Sequence, residues 1–296
     1  MSSKSRIYPA LAGVDFSSMT RAELDRIFMK ILNEGIHGIS FSVYLENQAP
    51  GSRVSMDQIR KRMSIIKPYV KWVRSFSCVD GNELIPKIAH EFGLKTLVGA
   101  WLGSDMEKNE QEIEGVIEVG KAGHADIIAV GNEVLLRGDL SEDQIIEYIN
   151  RVKNEVPGVP VGYVDAYYEF TLHPRISDAC DIILTNCYPF WEGYPFEHSL
   201  LYLKDMYHRA LKAGKGKKVI ITETGWPNLG SAERGAKPSY ENAIKYFINV
   251  YQWASEDNID IFYFSSFDET WKIATEGDVG AFWGLWDKDG NLKYGG

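Results

Sequence analysis

Along most of the chain, short runs of aliphatic and β-branched residues alternate with longer stretches whose apolar positions recur every three or four residues. The short runs have the composition of strands buried on both faces, and the longer ones have the period of amphipathic helices. The first helix opens on Thr20-Arg21-Ala22-Glu23, a capping box. It carries Leu24, Ile27, Phe28, Ile31 and Leu32 on one face, and Gly35 ends it. Ile36–Tyr44 reads as the first strand, and Ser55-Met56-Asp57-Gln58 caps a helix that stops at Pro68. Further strands are predicted over Val70–Ser77, Leu94–Leu102, Asp126–Val134, Pro160–Val164, Asp181–Tyr188, Lys218–Glu223 and Asp260–Asp268. Helix-patterned sequence separates them: a helix opened by Asp80-Gly81-Asn82-Glu83 and closed by Gly93, one from Asp105 to Gly123, and one capped by Ser141 and ended by Pro157. A short helical piece follows Val164, and helices over His198–Ala213 and Ser239–Ser255 complete the set.

Eight strands, each parted from the next by helical sequence, predict an α/β fold: a (β/α)8 TIM barrel formed by a single domain over 1–296. Residues 1–35 form an N-terminal extension segment and helix. Within it, Ala12-Gly13-Val14-Asp15-Phe16 reads as a short extended piece outside the strand count, expected to plug or cover the N-terminal side of the barrel. The competing architecture, a doubly wound open sheet, lacks its G-x-G-x-x-G turn after any strand. There is no internal repeat beyond the βα unit, no low-complexity tract and no linker.

Composition narrows the partners. With 45% hydrophobic residues in 296, the chain can bury a large core. A formal net charge of −9 argues against a nucleic-acid partner, because binding phosphates needs clustered Lys and Arg. Three cysteines, Cys78, Cys180 and Cys187, are too few for a disulfide framework and are expected to be buried free thiols. The six histidines are scattered without metal-ligand spacing, so no metal and no cofactor is expected. No apolar run is long enough to be a membrane segment. The start, Met1-Ser2-Ser3-Lys4-Ser5-Arg6, is basic but is followed by no hydrophobic signal core. A soluble chain is expected; a cytosolic protein and a processed one whose targeting segment was removed both remain open.

Chemistry gathers where the strands end. Val219-Ile220-Ile221 is a buried run that stops at Glu223, and Gly225 and Pro227 forbid its continuation. Ile127-Ile128-Ala129-Val130-Gly131-Asn132-Glu133 is built the same way. A barrel keeps its chemistry at the carboxyl ends of its strands. Glu223 alone could equally cap its strand or pair with a lysine, but two carboxylates ending two buried strands would face one another across the mouth. The other predicted strand ends contribute Tyr44, Phe76, Trp101, Tyr188, Trp226, Asp268, Glu269, Trp271 and Lys272, with Trp191 and Glu276 in flanking loops. Carboxylates among aromatic rings suit a sugar, whose flat face stacks on indole while its hydroxyls bond to acids and amides. Core packing is the commoner role of any single Trp. Trp283 and Trp286 are read as structural, whereas Trp191, in the loop between Pro189 and Pro195, is a candidate platform.

Three segments carry a resemblance. Ile221-Thr222-Glu223-Thr224-Gly225-Trp226-Pro227, Val130-Gly131-Asn132-Glu133 and Asn186-Cys187-Tyr188-Pro189 are similar to those of glycoside hydrolase family 17, the β-1,3-glucanases and β-1,3-glucanosyltransferases. The matching segments run from Ile36 to Tyr294, and Glu133 and Glu223 end the fourth and seventh predicted strands. The resemblance implies that Glu133 is the acid/base and Glu223 the nucleophile of a retaining reaction on β-1,3-glucan. It implies that Asn132 holds the sugar 2-hydroxyl, that Tyr188 bonds the nucleophile, and that Glu269, Lys272 and Glu276 support the site. A structural ion cluster explains those last three equally well. Tyr44, Trp191, Trp226 and Trp271 complete the expected substrate-binding set. Lys272 or Arg74 near Glu223 would hold it ionised, and the charge of Glu223 would raise the pKa of Glu133. Phe76 stands where the family often has Tyr, which removes one hydroxyl. The region after the sixth strand is closer to the short microbial glucanosyltransferase-like members than to plant endo-glucanases. A β-glucan oligo- or polysaccharide is thus the implied partner, bound by a monomer. The alternatives are a non-hydrolytic glucanosyltransferase, a non-catalytic glucan-binding barrel and a metal-dependent barrel enzyme.

Overall fold

A computed structural model describes residues 13–295 of the chain. The basic start Met1–Arg6 and Ala12, at the head of the Val14 segment, lie outside the described residues. Eight parallel strands close into a barrel in sequence order: β1 (Ile36–Ser40), β2 (Val70–Ser75), β3 (Lys95–Ala100), β4 (Ile127–Asn132), β5 (Val161–Ala166), β6 (Ile182–Asn186), β7 (Val219–Thr224) and β8 (Ile261–Tyr263). The ring closes where Gly38 and Ile39 pair with Phe262 and Tyr263. Side-chain alternation sorts each strand into an inner and an outer set. Leu97, Ile127, Ala129, Val164, Ile182, Leu184, Ile220 and Phe262 form a separate cluster that fills the inside, while the larger cluster lies between strands and helices.

The strands begin within a residue of expectation, but β1 and β8 stop four and five residues short. Phe41 to Val43 and Phe264 to Phe267 stay buried there without a continuous ladder. Bonds between these two neighbouring extensions replace it: Ser42 N donates to Ser266 Oγ at 2.9 Å, and Ser266 N to Ser40 O at 3.0 Å. Five helices start on their predicted caps, whereas the one expected from His198 starts at Phe196, after Pro195. Thr20 and Ser141 each form a full capping box, and Ser55, Asp105 and Ser239 each accept a backbone N–H from the first turn of their helix.

Only short helical pieces follow β8: Thr270–Lys272, Ile273–Glu276 and Asp278–Ala281. The helix Arg21–Glu34, which precedes β1, therefore covers the seam. Its Phe28 lies 4.6 Å from Phe247 of the helix Tyr240–Asp257 and 5.2 Å from Tyr294 of the C-terminal tail. The Val14 segment corrects expectation. It is not a strand and does not cover the N-terminal side of the barrel: Val14 N donates to Asn249 Oδ1 at 2.9 Å, and Phe16 packs 6.3 Å from Phe196. A closed barrel offers no free strand edge, so this backbone bonds to a side chain of the outer helix layer instead. Among the described residues no helix is long and apolar enough to cross a membrane.

Candidate active site

Alternation alone would not aim the two glutamates into the mouth. On β4, Ile127 and Ala129 face inward, so Gly131 should be next. Ala129 pairs with Gly162 but Asn132 with Val164, which places one extra residue on β4. That bulge turns Asn132 inward. Gly131 takes φ 87°, and a Cβ there would stand 2.9 Å from Val134 Cγ2 and 3.2 Å from Tyr163, so only glycine fits. Glu133 itself is left-handed at φ 53°. On β7 the same device operates: Ile220 and Thr222 belong to the inner set, yet Glu223 lies opposite Asn186 because β7 gains a residue against both neighbours.

The barrel centre joins these ends into one network. Arg74, 1% exposed, reaches up from β2 and bonds Glu223 Oε1, Thr222 O at 3.1 Å and Asn132 Oδ1 at 2.6 Å. Tyr188 donates its hydroxyl to the other oxygen of Glu223 at 2.7 Å. Asn186 donates to Glu133 Oε1 at 2.8 Å and accepts from Thr222 Oγ1 at 2.8 Å. Glu223 thus leans on a guanidinium and a phenol, and Glu133 on a neutral amide. Burial pushes the Glu133 carboxyl up to about 7, and the negative charge of Glu223 adds to it.

Both carboxylates line one open cavity of about 530 Å³, together with Asn186, Tyr188, Trp191, Glu192, Phe264, Glu276, Leu136 and the Ala166–Tyr168 loop. Glu269, Trp271 and Lys272 stand beside it on the loop after β8. Lys272 Nζ lies 3.2 Å from Glu269 Oε2 and 4.0 Å from the centre of the Phe264 ring, and the Trp271 indole donates to Glu269 Oε1 at 3.2 Å. Burial raises the Glu276 carboxyl, with Lys272 opposing. Tyr44 meets Trp271 edge-on at 6.1 Å, and its hydroxyl accepts from Asn82. Phe76 lies under the Arg74 guanidinium at 4.4 Å. Among the described residues, no three of His, Cys, Asp or Glu are grouped to hold a metal ion.

One expected contact is corrected. Trp226 does not reach the cavity: it is 1% exposed, packs against Phe190, Phe196 and Tyr246, and spends its indole N–H on Lys237 O at 3.0 Å. It follows the bulge, so when Glu223 turns inward the chain after it turns out. Trp191, by contrast, stands at the cavity wall, backed by Trp283 at 5.4 Å. Trp283 and Trp286 are buried, as read from the sequence. Asn186, Leu136, Tyr168 and Glu192 were not in the expected set. Asn186 had a signal, since it opens the Asn186-Cys187-Tyr188-Pro189 segment; the other three sit on a short helix and on loops beyond the strands, whose direction the sequence does not encode.

A closed (β/α)8 barrel with two carboxylates sharing one mouth, one paired to a buried cation and the other held against a neutral amide, defines a barrel glycoside hydrolase. Comparison with known proteins agrees. Residues 38–284 match the BtgE/BtgC glycoside hydrolase domain. The solved family 17 β-1,3-glucanosyltransferase of Rhizomucor miehei superposes with a TM-score of 0.80 at 30% identity, over 89% of this chain and 97% of that one. A glucan 1,3-beta-glucosidase of Arthroderma benhamiae is 28% identical over 79% of this chain and 82% of its own length. The Candida albicans glucan 1,3-beta-glucosidase BGL2 is 27% identical over 86% and 91%. The chain belongs to glycoside hydrolase family 17.

Proposed function

We propose that the chain is a retaining enzyme of β-1,3-glucan, with Glu223 as nucleophile and Glu133 as acid/base. The observation that carries this reading is the unequal surroundings of the two carboxyls. Glycosidic cleavage passes through an oxocarbenium-like state, which needs a proton on the leaving oxygen and negative charge on the opposite ring face. Arg74 and Tyr188 place charge and orientation on Glu223. Glu133, pushed up to about 7, keeps a proton to give. A carboxylate oxygen of Glu223 bonds to the anomeric carbon as the glycosidic C–O bond breaks, and the Glu133 proton goes to the departing oxygen. Glu133, now a base, takes the proton of an incoming water or sugar hydroxyl, whose oxygen displaces Glu223. Asn132, turned inward by the bulge, is read as the group that bonds the sugar 2-hydroxyl. Glu276 and Trp191, which line the cavity, and Tyr44, Glu269, Trp271 and Lys272 near it are read as the substrate-binding set.

Water as the acceptor gives hydrolysis and a sugar hydroxyl gives transfer. The relatives named above include glucosidases and a glucanosyltransferase, and the aromatic wall at Trp191 favours a bound sugar acceptor. Incubation with laminaritetraose, followed by chromatography and by NMR of the first-formed anomer, tests both points. Products longer than the input with initial β configuration are expected; an initial α product would overturn the retaining mechanism.

A further inference from the structure

Glu133 occupies the N-cap of the four-residue helix Val134–Arg137 yet makes no side-chain cap. Short polar side chains at that position cap the exposed N–H groups of the first turn, but the longer Glu133, left-handed at φ 53°, leaves them to other partners. Here those groups are taken by another strand. Asp165, at the end of β5 and 0% exposed, accepts from Leu135 N at 3.2 Å and Leu136 N at 3.4 Å. Tyr163, two residues before it, accepts from Leu135 N at 2.8 Å and donates its hydroxyl to Asp165 Oδ2. The other end of the turn is pinned by Arg137, which bonds Asn132 O, Leu102 O and Asp139. The Glu133 carboxyl, relieved of capping, points into the cleft toward Asn186.

We propose that Asp165, supported by Tyr163, is a positioning residue that caps the Glu133 turn from the neighbouring strand, frees Glu133 for the cleft and sets a negative charge behind it. This rests on Glu133 being the acid/base. The groups that face Glu133 are Glu223 and Arg74 across the mouth, Tyr188 from the loop after β6, and Asp165 and Tyr168 from β5 and its loop. Of these, Glu223 and Asp165 push its carboxyl up and Arg74 opposes them. Asp165 is itself faced by Glu169 and Tyr163, and burial raises it to about 6, while the N–H groups of Leu135, Leu136 and Ala166 and the Tyr163 hydroxyl, all donating to it, favour its charged form. Burial and the Asp165 charge hold the Tyr163 phenol far above its ordinary range, which leaves it a neutral donor.

The test uses two substrates, with azide present to discharge the glycosyl-enzyme without a base. Laminaritetraose needs a proton on its leaving group, and 2,4-dinitrophenyl β-laminaribioside does not. The control Glu133→Gln should lose the first activity and keep the second; equal loss on both would sink the acid/base reading itself. Given that control, Asp165→Asn should cut kcat on laminaritetraose by about 10- to 100-fold, the usual cost of misplacing a reacting group, and leave the aryl substrate within about threefold. Its basic limb in kcat/KM should move to lower pH, because one negative neighbour of Glu133 is gone. A variant with unchanged limb and unchanged substrate ratio, or equal loss on both substrates, overturns the proposal. If Asp165→Asn does not fold, Tyr163→Phe decides: a smaller change in the same ratio is expected, and a wild-type ratio refutes it.

Discussion

Asn186 Nδ2 stands 2.8 Å from Glu133 Oε1, so the group that orients Glu133 carries no charge. A cation there would strip the proton, as a nearby Arg does to a carboxyl. The amide orients Glu133 while burial and Glu223 hold the proton on, up to about 7. On the proposed acid/base role of Glu133, the protonated form is the one that cleaves, and its fraction falls as pH rises through that value. The kcat/KM profile should therefore fall along a basic limb near pH 7. In Glu133→Gln that limb should vanish while kcat on laminaritetraose drops by about 10²- to 10⁴-fold. A limb that persists in the variant would assign it to another group.

Arg74 sits under both halves of the site, and its pair with Glu223 is buried on both sides. Removing one partner of a buried pair strands the other charge, at a cost of about 3–5 kcal/mol. Arg74→Met should lower the unfolding free energy by that amount and reduce kcat. Arg74→Lys should be milder in stability but still impaired in kcat, since one ammonium cannot span Glu223 and Asn132 as a guanidinium does. Denaturant titration beside kinetics checks both, and wild-type kcat in the Lys variant would contradict the bridging role.

Trp226 and Trp191 should separate stability from function. Trp226→Ala opens the packed layer beside Phe190 and Tyr246 and should cost about 3–5 kcal/mol, with KM near wild type wherever the protein is folded. Trp191→Ala should leave the melting temperature almost unchanged and lower the ratio of transfer to hydrolysis. A reversal of the two outcomes would put Trp226 back among the substrate contacts.

Lys293 clamps the loop after β8 to the loop after β7: Nζ lies 2.8 Å from Asp268 Oδ1 and 2.8 Å from Asn228 Oδ1. That loop carries Glu269, Trp271, Lys272 and Glu276. Lys293→Met leaves the Asp268 carboxylate buried without its cation, and should destabilise by about 3–5 kcal/mol and raise KM. Lys293→Met combined with Asp268→Asn should recover much of the stability. Failure of the double variant to recover would show that the pair is not the source of the loss.

Much of the architecture was legible because its causes are local. A strand covered on both faces must be a continuous apolar run, and Ile127–Val130 and Val219–Ile221 are such runs whatever surrounds them. Caps such as Thr20 and Ser141 act within three residues, so they too could be read. The two glutamates were visible as carboxylates placed where such runs stop. Their direction was not, since the bulges at Gly131 and Thr222 exist only relative to the register of β5, β6 and β8. The same slip sends Trp226 into the core against expectation. Arg74 and Glu223 lie 149 residues apart, and Asn186 and Glu133 lie 53 apart. Periodicity and capping are properties of a segment, whereas an ion pair across a barrel is a property of its closure. The chain by itself marked the two carboxylates as strand ends; only the closed ring decided which residues line the mouth and which of them meet.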